Sequence, residues 1–204
     1  SSKEFPKVIT EIKGLRGLNV TIPYKEEIIP YLDKLSKTAE KIGAVNCITI
    51  SKKKKLKGYN TDYYGFKKSI KPLLKDHHKK ALILGTGGAS KAIAYALRSL
   101  KIEYDFVSRT ADEFQYKYGE LDASIFEEYT IIINTTPVGT HPNVDDCPNI
   151  DYSLFTKKHI AYDLIYNPEE TAFLRKAKAQ GAMTKNGYEM LVLQAEKAWK
   201  IWNE

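Results

Sequence analysis

A short apolar strand followed by a glycine-rich turn and a helix is the feature that most restricts the fold of this 204-residue chain. Residues 81–84 are all apolar, residues 85–90 read GTGGAS, and a helix is predicted over residues 91–100. In such an arrangement Gly85 permits a tight turn, and Gly87 lets backbone N–H groups approach a pyrophosphate at the positive end of the helix dipole. The pattern predicts a Rossmann-like dinucleotide-binding domain with a parallel sheet, and an ordinary strand-to-helix loop is the alternative interpretation.

The next strand indicates which nicotinamide cofactor would suit this domain. It is predicted at residues 104–107 and runs into the triplet SRT at residues 108–110. An acid at this strand end would bind the ribose hydroxyls of NAD, whereas a basic residue favours the extra phosphate of NADP. Asp105 lies about 20 residues past the first glycine, where the NAD rule expects an acid, but apolar residues follow it, so we place it inside the strand. We therefore expect NADP (NADPH), with a solvated Arg109 as the alternative.

Further apolar strands continue the alternation of strands and helices. They are predicted at residues 130–134 and 159–164, and helices are predicted over residues 169–181 and from residue 186 to near Trp202. In open α/β sheets, ligands bind outside the carboxyl ends of the strands. The loop that begins at Thr135 should therefore face the cofactor.

The N-terminal part of the chain combines an amphipathic helix over the first twelve residues with a strand in which Leu18, Val20 and Ile22 alternate with polar residues. A helix is predicted over residues 26–41. Such a helix would place the ammonium group of Lys25 beside the positive end of its dipole. Lys25 is a candidate for proton transfer, and a solvated lysine with no further role is the alternative.

Two more strands are predicted at residues 44–50 and 56–59, and the lysine run at residues 52–55 would form the solvated tip of their hairpin. A nucleic-acid patch is the alternative interpretation of that run. The triplet NTD at residues 60–62 precedes a helical pattern. Asp62 is accordingly a candidate either for capping this helix or for catalysis.

The charge distribution limits the kinds of partner. The net charge of +7 comes from 32 basic residues that are interspersed with 25 acidic ones along the chain. Because no basic block dominates, we expect a small anionic ligand as partner, and no nucleic acid. No apolar run approaches the roughly 20 residues that cross a bilayer, so no membrane partner is expected. Oligomeric state is left as monomer or homodimer.

Cysteine and histidine patterns indicate neither disulfides nor a metal. Cys47 and Cys147 are too few for a disulfide framework and lack metal-ligand spacing. The adjacent His77 and His78 lie in a polar segment that we interpret as a solvated linker, in which neighbouring side chains point in different directions. A cytoplasmic location fits this composition.

Several separate motifs together resemble the shikimate dehydrogenases. The resemblance rests on residues 17–25 (GLNVTIPYK), 42–46 (IGAVN), 60–62 (NTD) and the glycine turn at 85–90, and it extends over nearly the whole chain. It implies reversible hydride transfer between NADPH and the ring carbonyl of 3-dehydroshikimate, giving shikimate in the pathway to chorismate and the aromatic amino acids. The implied fold is α/β with two domains: a substrate domain of residues 1–75 plus 186–204, and an NADP-binding domain of residues 76–185.

The resemblance also assigns roles to individual residues. Lys25 would transfer a proton, and Asp62 would orient the lysine and bind the reacting hydroxyl. Substrate contacts would come from Thr21, Asn46, Asp62, Tyr166 and Gln194. Cofactor contacts would come from Gly85, Gly87, Gly88, Ala89, Ser108, Arg109, Thr110, Thr135, Leu164 and Gly187. No metal takes part.

The sequence departs from the family pattern at two places. Ser108 stands where these enzymes often have asparagine. Family members also begin with a further strand and loop that carry a pair of substrate-binding serines, and Ser1 and Ser2 precede a helix rather than follow a strand. We therefore expect an N-terminally incomplete substrate domain that binds cofactor but holds shikimate weakly. Two alternatives stay open: a quinate/shikimate dehydrogenase that accepts NAD, and a non-catalytic NADP-binding module.

Overall fold

A computed structural model describes residues 4–12 and 14–204 of the chain. Ser1 and Ser2 lie outside the described residues. The elements of the N-terminal part are, in chain order, α1 (Phe5–Glu11), β1 (Gly17–Asn19), β2 (Lys34–Leu35), α2 (Lys37–Ile42), β3 (Cys47–Ile50), β4 (Leu56–Tyr59) and α3 (Asp62–Ile70). Those of the C-terminal part are β5 (Lys80–Leu84), α4 (Gly88–Ser99), β6 (Glu103–Ser108), β7 (Gln115–Lys117), α5 (Ala123–Glu128), β8 (Ile131–Asn134), β9 (Ile160–Asp163), α6 (Ala172–Ala179), β10 (Met183–Lys185) and α7 (Tyr188–Asn203).

The N-terminal part forms a small sheet in the order β1-β3-β4-β2. β1 and β4 both run antiparallel to β3, whereas β2 runs parallel to β4. The predicted hairpin is confirmed, and the four lysines of its connection are exposed. One face of the sheet covers a core that includes Ile28, Val45 and Ile48.

The predicted helix over residues 26–41 is wrong. The chain instead forms turns up to residue 28, a short 3-10 helix at Ile29–Tyr31 and the strand β2, before Ser36 caps the start of α2. Two contacts with the hairpin account for the difference, because the Asp33 carboxylate accepts hydrogen bonds from the Leu56 backbone N–H and from the Lys55 ammonium group. Since no α-helix begins at Lys25, the expected helix dipole does not act on it.

The C-terminal part forms a six-stranded sheet in the order β10-β9-β8-β5-β6-β7, and every strand pair in it is parallel. Side chains of alternate residues in the central strand β5 pack into two different hydrophobic cores. Ile83 packs with Phe66 and Leu97 on one face of the sheet, and Leu82 packs with Phe126 and Phe173 in the other cluster. Helices therefore cover both faces, which is the doubly wound arrangement that a dinucleotide-binding pattern predicts.

The linker histidines differ from the expectation. Their rings lie 4.1 Å apart, and the Nε2 atoms of His77 and His78 both lie 3.1 Å from the carbonyl oxygen of Lys158. His78 is buried rather than solvated, and its Nδ1 accepts a hydrogen bond from the Lys75 backbone N–H. Within residues 4–12 and 14–204, no group of three or more His, Cys, Asp or Glu side chains is arranged to hold a metal ion.

The C-terminal helix α7 returns to the N-terminal part. A Cβ atom on Gly65 of α3 would lie 2.5 Å from the Met190 carbonyl oxygen of α7, so a glycine is needed for the two helices to approach this closely. Near the end of α7, the indole N–H of Trp202 donates a hydrogen bond of 3.0 Å to the Ile48 carbonyl in β3. The last helix is thereby attached to the small sheet.

No helix in the described part of the chain has both the length and the apolar character needed to span a bilayer.

Candidate active site

A cleft of about 1270 Å³ separates the two sheets. Its N-terminal wall is made by the turn segment that contains Ile22, Pro23, Lys25 and Glu26. The opposite wall is made by the loops that follow strands of the large sheet, and the glycine turn is the first of them. The carboxyl ends of parallel strands meet at one edge of a sheet, which explains why loops distant in sequence line one cavity.

Lys25, on the N-terminal wall of the cleft, forms an ion pair with Asp62. The lysine Nζ lies 2.8 Å from the Asp62 Oδ2 atom, and the two side chains are only 13% and 8% exposed. Partial burial makes such a pair stronger than a surface salt bridge, because fewer waters screen the charges. Lys25 therefore brings to the cleft wall an ammonium group that is oriented by a carboxylate.

Asn46 holds the carboxylate in place. Its Nδ2 lies 2.9 Å from Asp62 Oδ1, 2.9 Å from Thr61 Oγ1 and 3.2 Å from Gln194 Oε1, and its Oδ1 accepts the Thr61 backbone N–H at 2.6 Å. Asn46 and Asp62 are both nearly fully buried. The network connects the strand hairpin, the start of α3 and the middle of α7, so three elements fix the position of a single carboxylate.

Asp62 does not cap the helix it begins. The Tyr63 backbone N–H donates instead to Asn60 Oδ1 at 3.2 Å, and the N-cap residue Thr61 makes no capping bond with its side chain. Since both Asp62 oxygens face Asn46 and Lys25, the capping interpretation of Asp62 is wrong.

The two walls touch next to Lys25. A Cβ atom on Gly88 would lie 3.3 Å from the Cβ of Lys25 and 3.6 Å from Oε1 of Glu26. Glu26 also forms an ion pair across the cleft with Lys91 of α4, with 2.5 Å between Oε2 and Nζ. On its own side, the Lys25 carbonyl accepts the Val45 backbone N–H at 2.7 Å. The lysine is therefore held directly beside the glycine turn.

The glycine turn fits a dinucleotide phosphate. Gly85 has a φ of +101°, and a side chain there would lie 2.8 Å from Thr136 Cγ2, so this position requires glycine. Gly87 is the N-cap of α4, which begins at Gly88, three residues earlier than predicted. Gly87 offers no side-chain cap, and a Cβ there would meet nothing within 4 Å. The N-terminus of this twelve-residue helix thus lies at the cleft wall, and a helix N-terminus is a position where an anion binds favourably.

The far end of the cleft lies at the carboxyl end of β6. Asp105 is confirmed inside this strand, where its carboxylate accepts a hydrogen bond from the Tyr129 hydroxyl. Ser108 Oγ accepts the Thr110 backbone N–H at 3.2 Å, while Arg109 and Thr110 are exposed and line the cleft. An acid is therefore engaged inside the sheet, and a basic residue stands where the adenosine of a bound dinucleotide would lie.

Comparison with known proteins agrees with this geometry. Residues 1–48 match the family model described as the shikimate dehydrogenase substrate binding domain. A shikimate dehydrogenase (NADP(+)) from Caldanaerobacter subterraneus subsp. tengcongensis is 42% identical over 205 residues, which cover 93% of this chain and 72% of that protein. The chain belongs to the shikimate dehydrogenase family.

Solved structures of shikimate dehydrogenases share its architecture. The crystal structure of the Aquifex aeolicus enzyme matches with a TM-score of 0.87 at 38% identity, covering 100% of this chain and 78% of that one. The Thermus thermophilus enzyme, solved in complex with NADP(H) and shikimate, matches with a TM-score of 0.84 at 34% identity, covering 98% and 78%. The two-domain α/β fold expected from the sequence is confirmed by these matches.

Most residues predicted to contact the cofactor line one cavity. The cleft is lined by eight of the ten: Gly85, Gly87, Gly88, Ala89, Ser108, Arg109, Thr110 and Thr135. Leu164 and Gly187 do not line it, although they adjoin each other, because a Cβ on Gly187 would lie 2.0 Å from the Leu164 carbonyl oxygen. The roles of all ten residues stay predictions of the family resemblance.

The predicted substrate contacts divide into two groups. Asn46, Asp62 and Gln194 belong to the network around the ion pair. Thr21 and Tyr166 are exposed, and in the described part of the chain their side chains make no hydrogen bond to that network. A substrate held by all five residues would have to fill the space between the two groups.

Sequence reasoning missed a buried carboxylate at the end of β9. Asp163 accepts hydrogen bonds from Asn134 Nδ2, the Ile165 backbone N–H and Thr171 Oγ1. Burial raises its pKa to about 6. The signal was an acid that closes an apolar strand. Asp163 connects the loops that follow β8 and β9, and the first of these two loops lines the cleft.

It also missed the residues around the end of β7. Lys117, Tyr118 and Gly119 line the cleft, but the sequence pattern predicts no element over residues 111–129. A strand of three residues has too little alternation to be recognised by its pattern.

Proposed function

We propose that the chain catalyses the reversible NADP-dependent dehydrogenation of shikimate to 3-dehydroshikimate, a step of the shikimate pathway. The observation that carries this proposal is the Lys25–Asp62 ion pair at 2.8 Å, whose lysine lies on the cleft wall that faces the glycine turn. It supports the proposal because an alcohol dehydrogenation requires a group that moves a proton near the bound cofactor.

Lys25 is proposed to move the proton. When bound, the reduced cofactor supplies the hydride, and negative charge then develops on the carbonyl oxygen of the substrate. The Lys25 Nζ atom donates a proton to that oxygen during reduction and takes it back during oxidation. A positioned acid or base of this kind contributes roughly 10²–10⁴-fold to a rate.

Asp62 is proposed to orient the lysine and to accept a hydrogen bond from the substrate hydroxyl. Its Oδ1 atom is held by Asn46, so the carboxylate cannot turn away when Lys25 moves toward the substrate. The remaining proposed substrate contacts are Thr21, Asn46, Tyr166 and Gln194. The division into a substrate domain of residues 1–75 plus 186–204 and a cofactor domain of residues 76–185 is part of the same proposal.

NADP rather than NAD is the proposed cofactor, in agreement with the NADP-dependent relatives. The basic end of β6 supports this choice, since Arg109 suits a phosphate better than a ribose hydroxyl. A quinate dehydrogenase from Corynebacterium glutamicum, solved in complex with NAD, is a structural neighbour at 28% identity and a TM-score of 0.80. The cytoplasmic location and the monomeric or homodimeric state stay predictions of the sequence analysis.

The test is an absorbance assay at the nicotinamide band. Shikimate and quinate would each be offered with NADP and with NAD, and cofactor binding would be measured separately by calorimetry. We expect turnover with shikimate and NADP to exceed that of the other three combinations. NADPH binding without turnover of either acid would contradict the proposal and favour the non-catalytic binding module.

A further inference from the structure

The carboxyl ends of β6 and β7 lie side by side at the far end of the cleft. The two strands are parallel, and their register places Ser108 opposite Lys117. The residues that follow these positions, Arg109 and Tyr118, are therefore neighbours as well. All four line the cleft. Two cationic side chains that are distant in sequence thus reach the same end of one cavity.

This arrangement depends on an unusually short connection. Parallel neighbours are normally joined by a crossover of about a dozen residues or more, which usually contains a helix. Here the connection comprises residues 109–114 and contains no helix. Asp112 folds it into a turn, because its carboxylate accepts the Phe114 backbone N–H at 3.0 Å and the Gln115 side-chain amide at 2.8 Å. The short turn leaves the end of β7 open to the cleft.

The charges at this end are available to a ligand. Within residues 4–12 and 14–204, neither Arg109 nor Lys117 takes part in an ion pair, and both are exposed. The nearby Glu120 carboxylate accepts the backbone N–H of Lys117 at 2.7 Å. Burial raises the pKa of Tyr118, and the positive charge of Arg109 acts on this pKa in the opposite direction.

We propose that Lys117 is a second cationic contact for the 2′-phosphate of NADP, beside Arg109, and that it contributes to the preference for NADP over NAD. The inference rests on the proposed function, since it concerns the same cofactor. An adenosine 2′-phosphate carries negative charge that the 2′-hydroxyl of NAD lacks, so a lysine at this position affects the two cofactors differently. Lys117 supplies charge from the adjacent strand, and Arg109 supplies a planar guanidinium from β6.

The first experiment compares Lys117→Met with Lys53→Met, an exposed lysine at the tip of the hairpin and outside the cleft. We expect Lys117→Met to raise the KM for NADPH by about 3- to 10-fold, as for a charge-assisted contact that is partly screened by water. The KM for NADH and the kcat at saturating NADPH should stay within about twofold of wild type. Lys117→Arg should keep most of the NADPH affinity. Lys53→Met should leave the KM values for NADPH and NADH unchanged.

The second experiment measures binding without chemistry, by calorimetry with adenosine 2′,5′-diphosphate and with adenosine 5′-diphosphate. Lys117→Met should weaken the binding of adenosine 2′,5′-diphosphate and leave the binding of adenosine 5′-diphosphate unchanged. Equal affinity of the variant and wild type for this nucleotide, or an equal loss for both nucleotides, would overturn the inference. Lys117-dependent binding by a wild-type protein that does not oxidise shikimate would retain the inference and remove the proposed function, so the two failures are distinguishable.

Discussion

Lys25 and Asp62 are 37 positions apart, and their contact depends on Asn46 as much as on their own charges. The amide of Asn46 donates to Asp62 while the ammonium of Lys25 approaches the other carboxylate oxygen. With both oxygens engaged, the carboxylate has one orientation, and the lysine on the cleft wall has one position. At the scale of single residues, the site is therefore a lysine oriented by a buried polar network.

We predict that Lys25→Met lowers kcat by about 10²- to 10⁴-fold, because the variant keeps the length of the side chain but lacks a proton to donate. Affinity for NADPH should change by less than about threefold, since the glycine turn and the end of β6 remain intact. Stopped-flow turnover and calorimetric titration would measure the two effects. Glu27→Gln, an exposed change on the same turn segment, is the matched control. A variant that retains more than a tenth of the wild-type kcat would exclude Lys25 as the proton donor.

A second residue-scale prediction concerns His159. This side chain is buried, its Nδ1 accepts the Thr156 backbone N–H, and its Nε2 lies 2.9 Å from the Phe126 carbonyl. Burial lowers the pKa of His159 below the ordinary value of 6.5. Below that pH the unfolded chain binds a proton that the folded chain does not, so the stabilising effect of His159 is complete above pH 6.5 and declines as the pH falls below it.

The measurement is urea denaturation of wild type and His159→Gln at about pH 7 and about pH 5. The stability difference between the two proteins should be larger at the higher pH. Asp163, whose pKa is raised to about 6, titrates in the same range with the opposite sign, but it is present in both proteins and cancels from the difference. A difference that is independent of pH would contradict the prediction.

At the scale of elements, close approach of backbones positions the parts of the site. α7 meets α3 at Gly65 and meets the loop after β9 at Gly187. The second contact is the tighter one, because a Cβ on Gly187 would lie only 2.0 Å from a backbone oxygen that no rotamer change can move. The start of α7 therefore depends on the lack of a side chain, and Gln194 on this helix depends on the start of α7.

We predict that Gly187→Ala lowers the free energy of unfolding by about 1–3 kcal/mol, the usual cost of inserting a methyl group into a packed contact. The φ of Gly187 is −78°, which alanine adopts readily, so the effect is steric. Gly119→Ala is the control, since a Cβ there would meet nothing within 4 Å. Thermal denaturation of both variants measures the effect. If Gly187→Ala melts at the same temperature as Gly119→Ala, the loop after β9 moves aside without a loss of stability, which would contradict the prediction.

At the scale of the whole molecule, the cleft lies between two sheets whose walls touch beside the glycine turn. The ion pair between Glu26 and Lys91 crosses this cleft next to Lys25. The side chain of Lys91 is 40% exposed and that of Glu26 is 44% exposed, so the pair contributes about 0.2–1 kcal/mol at most. Such an energy is small for folding, but it acts on the distance between Lys25 and the glycine turn.

We predict that Glu26→Gln and Lys91→Met each lower kcat/KM by about two- to fivefold. The kcat/KM of the double variant should be no lower than that of the less active single variant. Steady-state kinetics on all four proteins gives the coupling between the two positions. Lys178→Met is the control, since Lys178 forms an ion pair with Glu170 within the C-terminal part of the chain and this pair does not cross the cleft. Strictly additive effects of the two substitutions would show that the residues do not act as a pair.

Local sequence predicted much of the cleft wall that belongs to the large sheet. The strand–turn–helix pattern around Gly85 and the basic triplet after β6 depend on neighbours within a few residues, and the structure places them on one cavity wall. Motifs of the family likewise pointed to Lys25 and Asp62 from the sequence. The helix predicted over residues 26–41 is wrong because contacts with a distant segment decide the structure there. Pairing of β2 with the hairpin and the Asp33 contacts outweigh local helix propensity.

The sequence by itself determined the parallel sheet and the glycine turn that lines the cleft, because these follow from residue pattern and turn chemistry. The tertiary structure decided which groups meet. Asn46 and Gln194 bond across 148 positions, and Lys117 lies opposite Ser108 through strand register. Such contacts depend on how whole elements pack, since the buried faces of distant segments select their partners.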